Sequence, residues 1–167
     1  MSIKQRRTIA NYLDVAETGA QSADFALMGV GFKSLEENPS AQTKSRKYVC
    51  DKSATQTING YSWSTPFELD QIREQDAVEF ICNIGEQQLT GADAERDYVM
   101  VDLGKPVSSG GTAVENTYYA RKIKVAIELA AFSNDDGNLG ANGNLLGVGD
   151  IINGTFNTST RTFTAAA

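Results

Sequence analysis

The residues that could do chemistry in this sequence are few and widely separated. The chain has no histidine, which removes the commonest general base near neutral pH and the commonest metal ligand. Its two cysteines, Cys50 and Cys82, lie far apart and form no C-x-x-C motif. Neither a Ser-His nor a Cys-His catalytic pair is therefore possible, and zinc sites of the usual kinds need more Cys or His. We expect no metal site and two ordinary, partly buried cysteine side chains.

Two motifs resemble ligand-binding loops but lack essential residues. Gly104-Lys105 is followed by Pro106 and lacks the preceding glycine of a phosphate-binding loop. Residues 134–138 resemble a calcium loop, but an EF-hand needs a Glu six residues after its Gly, and residue 143 is Gly. Asp136-Gly137 instead predicts a tight turn between strands. We expect no enzyme activity, no catalytic residue and no cofactor.

The length and charge of the chain favour a single domain, residues 1–167, that does not grip nucleic acid. At 167 residues it can bury a substantial core, and no linker or internal repeat divides it. The net charge of −6 opposes binding to phosphates and favours solubility. No apolar run approaches the roughly 20 residues of a membrane span. No apolar segment follows the basic first residues, so we expect folding in the cytoplasm.

Short alternating segments separated by Asn-Gly, Asp-Gly and Gly-rich turns predict a mainly β fold, either a β-sandwich or a half-barrel of antiparallel strands. Residues 117–132 give the clearest strand, because apolar side chains occupy odd positions such as Ile123, Val125 and Ile127. Pro66 requires its strand to lie at an edge or to be bulged. The other predicted strands are 25–32, 61–69, 98–103 and a C-terminal hairpin of 151–157 with 161–164.

One segment, residues 76–89, is predicted to be the flanking α-helix. Its apolar side chains fit helical spacing, although some of them would also alternate on a strand. Asp76 as an N-cap, with Glu79 at the third helical position, favours the helix. Gly91 supplies a stop signal shortly afterwards.

Residues 35–53 form a long polar stretch, which we interpret as a surface loop. Compact domains rarely keep loops this long without a function. The stretch is either a mobile loop or an arm that contacts another subunit. The candidate contact residues are Asn38, Pro39, Lys44, Arg46, Lys47 and Tyr48.

The order of these segments resembles the major tail or tail-tube proteins of long-tailed phages. The resemblance lies in the sequences at 25–32, in the turn at 37–39 with the polar arm that ends near 48–49, and in those at 61–67, 90–95 leading into 98–103, 147–150, 154–157 and 162–164. It runs from about residue 24 to residue 167, and residues 1–20, which it does not cover, are predicted to form an N-terminal arm. The resemblance implies a tail-tube-like β-sandwich or half-barrel with a helix packed on its side.

The resemblance also implies a function in assembly. Members of the family form hexameric rings that stack into a tube through which the genome leaves the virion. Partners would be further copies of the chain and the tape-measure, terminator and baseplate or tip proteins. DNA would pass through the lumen without specific binding, and the protein would belong to the virion tail, assembled in the host cytoplasm without a membrane.

Two alternatives remain open at the level of sequence. A phage-tail-like bacteriocin or an injection device would use the same kind of tube subunit. A monomeric β-sandwich binding module would instead need an exposed aromatic platform, for which the candidates are Tyr61, Trp63, Tyr118 and Tyr119.

Overall fold

The computed structural model describes residues 1–167 and contains eleven β-strands, one α-helix and two short 3-10 helices. The 3-10 helices are Arg6–Thr8 and Gly91–Ala94, and the α-helix α1 is Asp76–Glu86. The strands are β1 (Ile9–Asp14), β2 (Phe25–Leu27), β3 (Phe32–Leu35), β4 (Ala41–Arg46), β5 (Thr55–Tyr61), β6 (Ser64–Asp70), β7 (Glu95–Ser109), β8 (Thr112–Asp135), β9 (Asn138–Gly147), β10 (Ile152–Asn157) and β11 (Thr162–Ala165). The predicted mainly β class with one flanking helix is confirmed.

Nine strands form one antiparallel sheet that curls into a half-barrel. The order is β2-β1-β7-β8-β9-β6-β3, and β10 joins β8 while β11 joins β10. On the edge of β8 opposite β7, β10 pairs with residues 117–122 and β9 pairs with residues 125–135. The sheet therefore branches at β8. Strands β4 and β5 form a separate two-stranded sheet.

The branching gives the domain two hydrophobic cores. The first lies between α1 and the β9, β6 side of the sheet and includes Ile81, Val125 and Leu145. The second is smaller and consists of Tyr12, Phe25, Val99, Val101, Ala120 and Phe156. Strand β7 serves both cores, because Tyr98 and Met100 face the first while Val99 and Val101 face the second.

Strand β8 confirms the clearest strand prediction and extends it to 24 residues. Ile123, Val125 and Ile127 are buried, as period-two alternation predicts. A turn at Asp136 and Gly137, both with positive φ (49° and 87°), joins it to β9. The predicted tight turn at Asp-Gly is thereby confirmed.

Helix α1 is confirmed, with different residues at its ends. The N-cap is Gln75, whose side chain makes no capping bond, and Asp76 lies in the first turn. At the other end Gln88 takes a positive φ of 53°, and the Leu89 amide donates to the Ile84 carbonyl at 3.1 Å. This is the Schellman arrangement, in which Gln88 occupies the position that usually favours glycine. The expected stop at Gly91 therefore comes three residues earlier.

The single strand predicted at 25–32 is wrong, because the chain turns inside it. Strand β2 ends at Leu27 and β3 begins at Phe32. The Phe32 amide donates to the Gly29 carbonyl at 3.1 Å, and Gly31 has φ 92°. The two glycines therefore make a turn between two short strands, where apolar alternation alone suggests one continuous strand.

The predicted strand 61–69 is divided in a similar way. Tyr61 ends β5, whereas β6 begins at Ser64. Within the segment, Trp63, Phe67 and Leu69 are buried as the alternation predicts. The break arises because residue 61 still pairs with Ala41 in the separate two-stranded sheet.

Strand β6 is paired on both sides, so the prediction that Pro66 marks an edge strand is wrong, but the pairing with β3 does contain a register shift, where Phe32 and Ser34 face Leu69 and Glu68. Its pairing with β3 ends at Leu35 and Phe67, next to Pro66. The Glu36 amide donates to the Pro66 carbonyl at 3.3 Å, so the missing N–H of Pro66 would lie on this side. Past β3 the chain stays beside β6, since Asn38 and Ser64 exchange both backbone bonds, so a proline here costs only the one hydrogen bond that its N–H would have donated.

The N-terminal arm predicted at 1–20 is also wrong in part. Residues 9–14 form β1, which pairs with both β2 and β7. Tyr12 and Leu13 are buried, and Asn11 is buried with its side-chain amide donating to the Tyr98 hydroxyl. The segment is too short and too mixed in polarity to show an alternating pattern in the sequence.

At the other end of the chain, the C-terminal hairpin is confirmed as β10 and β11. Strand β9 lies in a glycine-rich region for which no strand was predicted. A Cβ at Gly143 would overlap the backbone oxygen of Glu128, so glycine permits the close approach of β8 and β9.

Candidate functional site

The polar stretch 35–53 is not a loop, because most of it belongs to a projecting β-hairpin. Residues 41–61, hereafter the arm, consist of β4, a turn and β5. The pairing runs from Ala41 and Tyr61 to Arg46 and Thr55. Every residue of β4 is exposed, and β5 pairs with no strand other than β4. The arm therefore lies outside both hydrophobic cores.

The two faces of the arm differ in chemistry. Residues opposite each other on paired antiparallel strands point to the same face, and neighbours along a strand alternate. Lys44 and Arg46 therefore share one face with their partners Thr57 and Thr55. The other face carries uncharged side chains from Thr43, Ser45, Gln56 and Ile58. The arm thus has a cationic face and a neutral face.

The arm is basic, whereas the rest of the chain is acidic. It holds Lys44, Arg46, Lys47 and Lys52 but only one acid, Asp51, which gives +3 against −6 for the whole chain and hence −9 for the remainder. None of these four cations forms an ion pair within the molecule, whereas lysines and arginines on the body of the domain pair with six different sets of carboxylates. The cations of the arm are free for another molecule.

The turn of the arm is held by local bonds. The Tyr48 amide donates to the Asp51 carboxylate at 3.0 Å, and the Asp51 amide donates to the Tyr48 carbonyl at 3.0 Å. Cys50 is exposed in this turn, whereas Cys82 is buried in α1, so only Cys82 fits the expectation of burial. The candidate residues Lys44, Arg46, Lys47 and Tyr48 all lie on the arm.

The other two candidate contact residues lie at its root. Asn38 and Ser64 exchange both backbone hydrogen bonds, at 2.8 and 3.0 Å, and Pro39 follows directly. The Ser62 amide then donates to the Ser40 carbonyl at 3.0 Å. Asn38 therefore anchors the arm to the domain, and its backbone is committed to β6. Its side chain is exposed, and its contact with another subunit stays a prediction.

A polar cluster next to the root joins it to β8. Both Nη atoms of Arg121 donate to the Glu37 carboxylate, at 2.8 and 2.9 Å, and Trp63 Nε1 donates to the same group at 3.1 Å. Burial raises the pKa of Glu37, but the bonds from Arg121 and Trp63 outweigh it and hold the pKa below its usual value. Sequence reasoning missed this cluster, although an arginine on the apolar face of β8 indicates a buried or bridging partner.

This cluster makes the root sensitive to acid. Because the folded pKa of Glu37 is lowered, its ion pair stabilises the fold above the unfolded pKa of about 4.3. This stabilisation is lost as the pH falls through the folded pKa.

Trp63 is the only tryptophan, so its fluorescence reports on this cluster. We expect its fluorescence to change as the pH falls below the unfolded pKa of Glu37, and the Glu37→Gln variant to lose this transition. Glu115→Gln, on an exposed part of β8, should titrate like the wild type, and an unchanged Trp63 titration in Glu37→Gln would contradict the assignment.

The aromatic platform of a glycan-binding module is not assembled. Trp63 is buried in the first core, and Tyr61 lies on the arm. Tyr118 and Tyr119 are adjacent on β8 and therefore point to opposite faces. The structure does not bring these four rings together.

The acidic and cysteine side chains assemble no metal-binding cluster. No group of three or more such residues is placed to hold a metal ion. None of its helices has the length and apolar character needed to cross a bilayer. The sequence matches no protein-family model and no curated protein.

Proposed function

We propose that the chain is a structural subunit of a phage tail tube, which assembles into stacked hexameric rings and forms the channel for genome delivery. The arm is the observation that carries the proposal. A two-stranded sheet with no core of its own is only marginally stable in water. The arm would be stabilised by a partner molecule that covers it and pairs with its cations.

The curled sheet supports the same function. Its order ends in the short strands β2 and β3, and β11 ends the branch. Exposed strand edges promote pairing between chains, and a closed ring removes them. A half-barrel with a flanking helix is also the architecture that the sequence resemblance implies. The further partners would be the tape-measure, terminator and baseplate or tip proteins of a virion tail.

The negative charge fits a channel for DNA. Outside the arm, acids outnumber bases by nine. A lumen lined by the body of the domain would repel phosphates, so DNA would pass without binding.

Electron microscopy of negatively stained protein tests the proposal. We expect the purified chain to form rings or hollow tubes as its concentration rises, without any added ligand. Sedimentation velocity on the same samples would measure the fraction assembled. A chain that remains monomeric over the whole concentration series, and binds a glycan or a protein ligand as a monomer, would contradict the proposed function.

A further inference from the structure

The cationic face of the arm lacks a partner within its own chain, and its charge limits what can cover it. Lys44 and Arg46 point from the same face, and Lys47 and Lys52 extend the charge into the turn. A partner must therefore offer several carboxylates or phosphates. Its position must also suit an arm whose root is fixed by Glu37 and Asn38.

The body of the domain carries a complementary surface between residues 15–24 and the start of β7. A groove of about 360 Å³ opens there, lined by side chains that include Asp14, Glu17, Glu95 and Asp97. Asp24 adjoins it, since its amide donates to the Asp14 carboxylate at 3.0 Å. Asp93 adjoins it too, because it accepts a bond from the Thr18 hydroxyl at 2.9 Å. We call this surface the acidic groove.

The acidic groove keeps an excess of negative charge after its internal pairs are formed. Lys124 pairs with Glu95 at 3.4 Å, and Lys122 pairs with Asp97 at 3.7 Å. Arg96 is used to hold the groove together, since it donates to the Ala16 carbonyl and to the Thr18 hydroxyl, each at 3.0 Å. No ion pair forms at the three exposed carboxylates of this surface, which belong to Glu17, Asp24 and Asp93.

We propose that the cationic face of the arm docks against the acidic groove of a second copy of this chain. The inference rests on the proposed function, because the partner is another subunit. The arm carries +3, and the six carboxylates of the groove face only three cations, which leaves −3, so the two net charges are opposite in sign and equal in magnitude. The exposed apolar side chains of the arm, among them Val49, Ile58 and Tyr61, favour a protein partner over nucleic acid.

The contact is head-to-tail, because the arm and the acidic groove are different surfaces. Such heterologous contacts build rings or open filaments, whereas a two-fold dimer would pair the same surface on both copies. Each subunit would offer one arm to a neighbour and one groove to another. Electrostatic docking of this kind also becomes weaker at high salt.

A charge-swap experiment tests the contact. One variant reverses the arm (Lys44→Glu, Arg46→Glu, Lys47→Glu), and the other reverses the groove (Glu17→Lys, Asp24→Lys, Asp93→Lys). Each alone should associate at least tenfold more weakly than the wild type, roughly the effect of losing close interfacial charge pairs. An equimolar mixture should recover assembly, because the two variants can alternate. Lys105→Glu and Asp150→Lys, which reverse exposed charges elsewhere, are the controls, and circular dichroism checks that every variant is folded.

The outcomes separate this inference from the proposed function. If the wild type forms tubes and either reversed variant does so equally well, or if the mixture recovers nothing, the arm–groove contact is overturned while the tube function stands. A wild type that never assembles overturns both. A further outcome is that the wild type retains double-stranded DNA at low salt while the variant with the reversed arm retains none. In that case the partner of the arm is nucleic acid, and the inference is also overturned.

Discussion

Replacement of residues 41–61 by two glycines is expected to leave a folded monomer that forms no tubes. The arm adds nothing to either hydrophobic core, so its loss removes little of the apolar burial that stabilises the fold. Ser40 and Ser62 already face each other through a 3.0 Å backbone bond, and two glycines suffice for a tight turn between them. Thermal unfolding should therefore change little, whereas sedimentation should show monomers under conditions in which we expect the wild type to assemble.

The boundaries of this replacement matter. A deletion of residues 37–52 would remove Glu37, Asn38 and the whole of β4, and would leave β5 without a partner. Its failure to assemble would then have several causes. The conservative changes Ser45→Thr and Thr55→Ser keep the length and charge of the arm, and they should leave tubes unaffected. Tubes of normal length from the glycine variant would show that the arm is dispensable.

The second large effect is expected from Phe156→Ala. Phe156 is fully buried in the smaller core, with its ring centroid 4.5 Å from that of Tyr12 and 5.7 Å from that of Phe25. Removal of a buried phenylalanine costs about 3–5 kcal/mol. Because domains are stable by only about 5–15 kcal/mol, this is a large share of the free energy of unfolding. The midpoint of urea denaturation, followed by circular dichroism, should fall accordingly.

Phe132→Ala provides a matched control. Phe132 lies on β8 with 44% of its surface exposed, so the same truncation removes far less buried area. We expect a loss of about 1 kcal/mol. Since β7 and β8 contribute to both cores, the Phe156→Ala variant should still unfold in a single transition. Equal midpoints for the two variants would show that the smaller core contributes little to stability.

The parts of the fold that the sequence predicts are those in which one face is buried and the other is exposed. Strand β8 and helix α1 are of this kind, because their apolar side chains recur with a clear period. Strand β7 is different, since Tyr98 to Val101 are buried on both faces. The predicted strand was correct, but no alternation could indicate that it separates two cores.

The parts that the sequence does not predict depend on partners distant in the chain. Strand β9 is rich in glycine, which is unfavourable in strands, and is stabilised by β8 and β6 on either side. Strand β4 of the arm has no apolar face, so its residues resemble a loop. Glu37 and Arg121 are 84 residues apart, and only the fold brings them together.

Both cores include strands from the C-terminal part of the sequence, and this affects when the chain can fold during its synthesis. The first strand, β1, lies between β2 and β7, and Ile9 pairs with Asp102. The smaller core also needs Phe156 from β10. Contacts this distant in sequence form slowly and only after the later partner exists. A growing chain therefore cannot complete its smaller core until residue 156 has left the ribosome, so a subunit that joins a tube would do so only after that point.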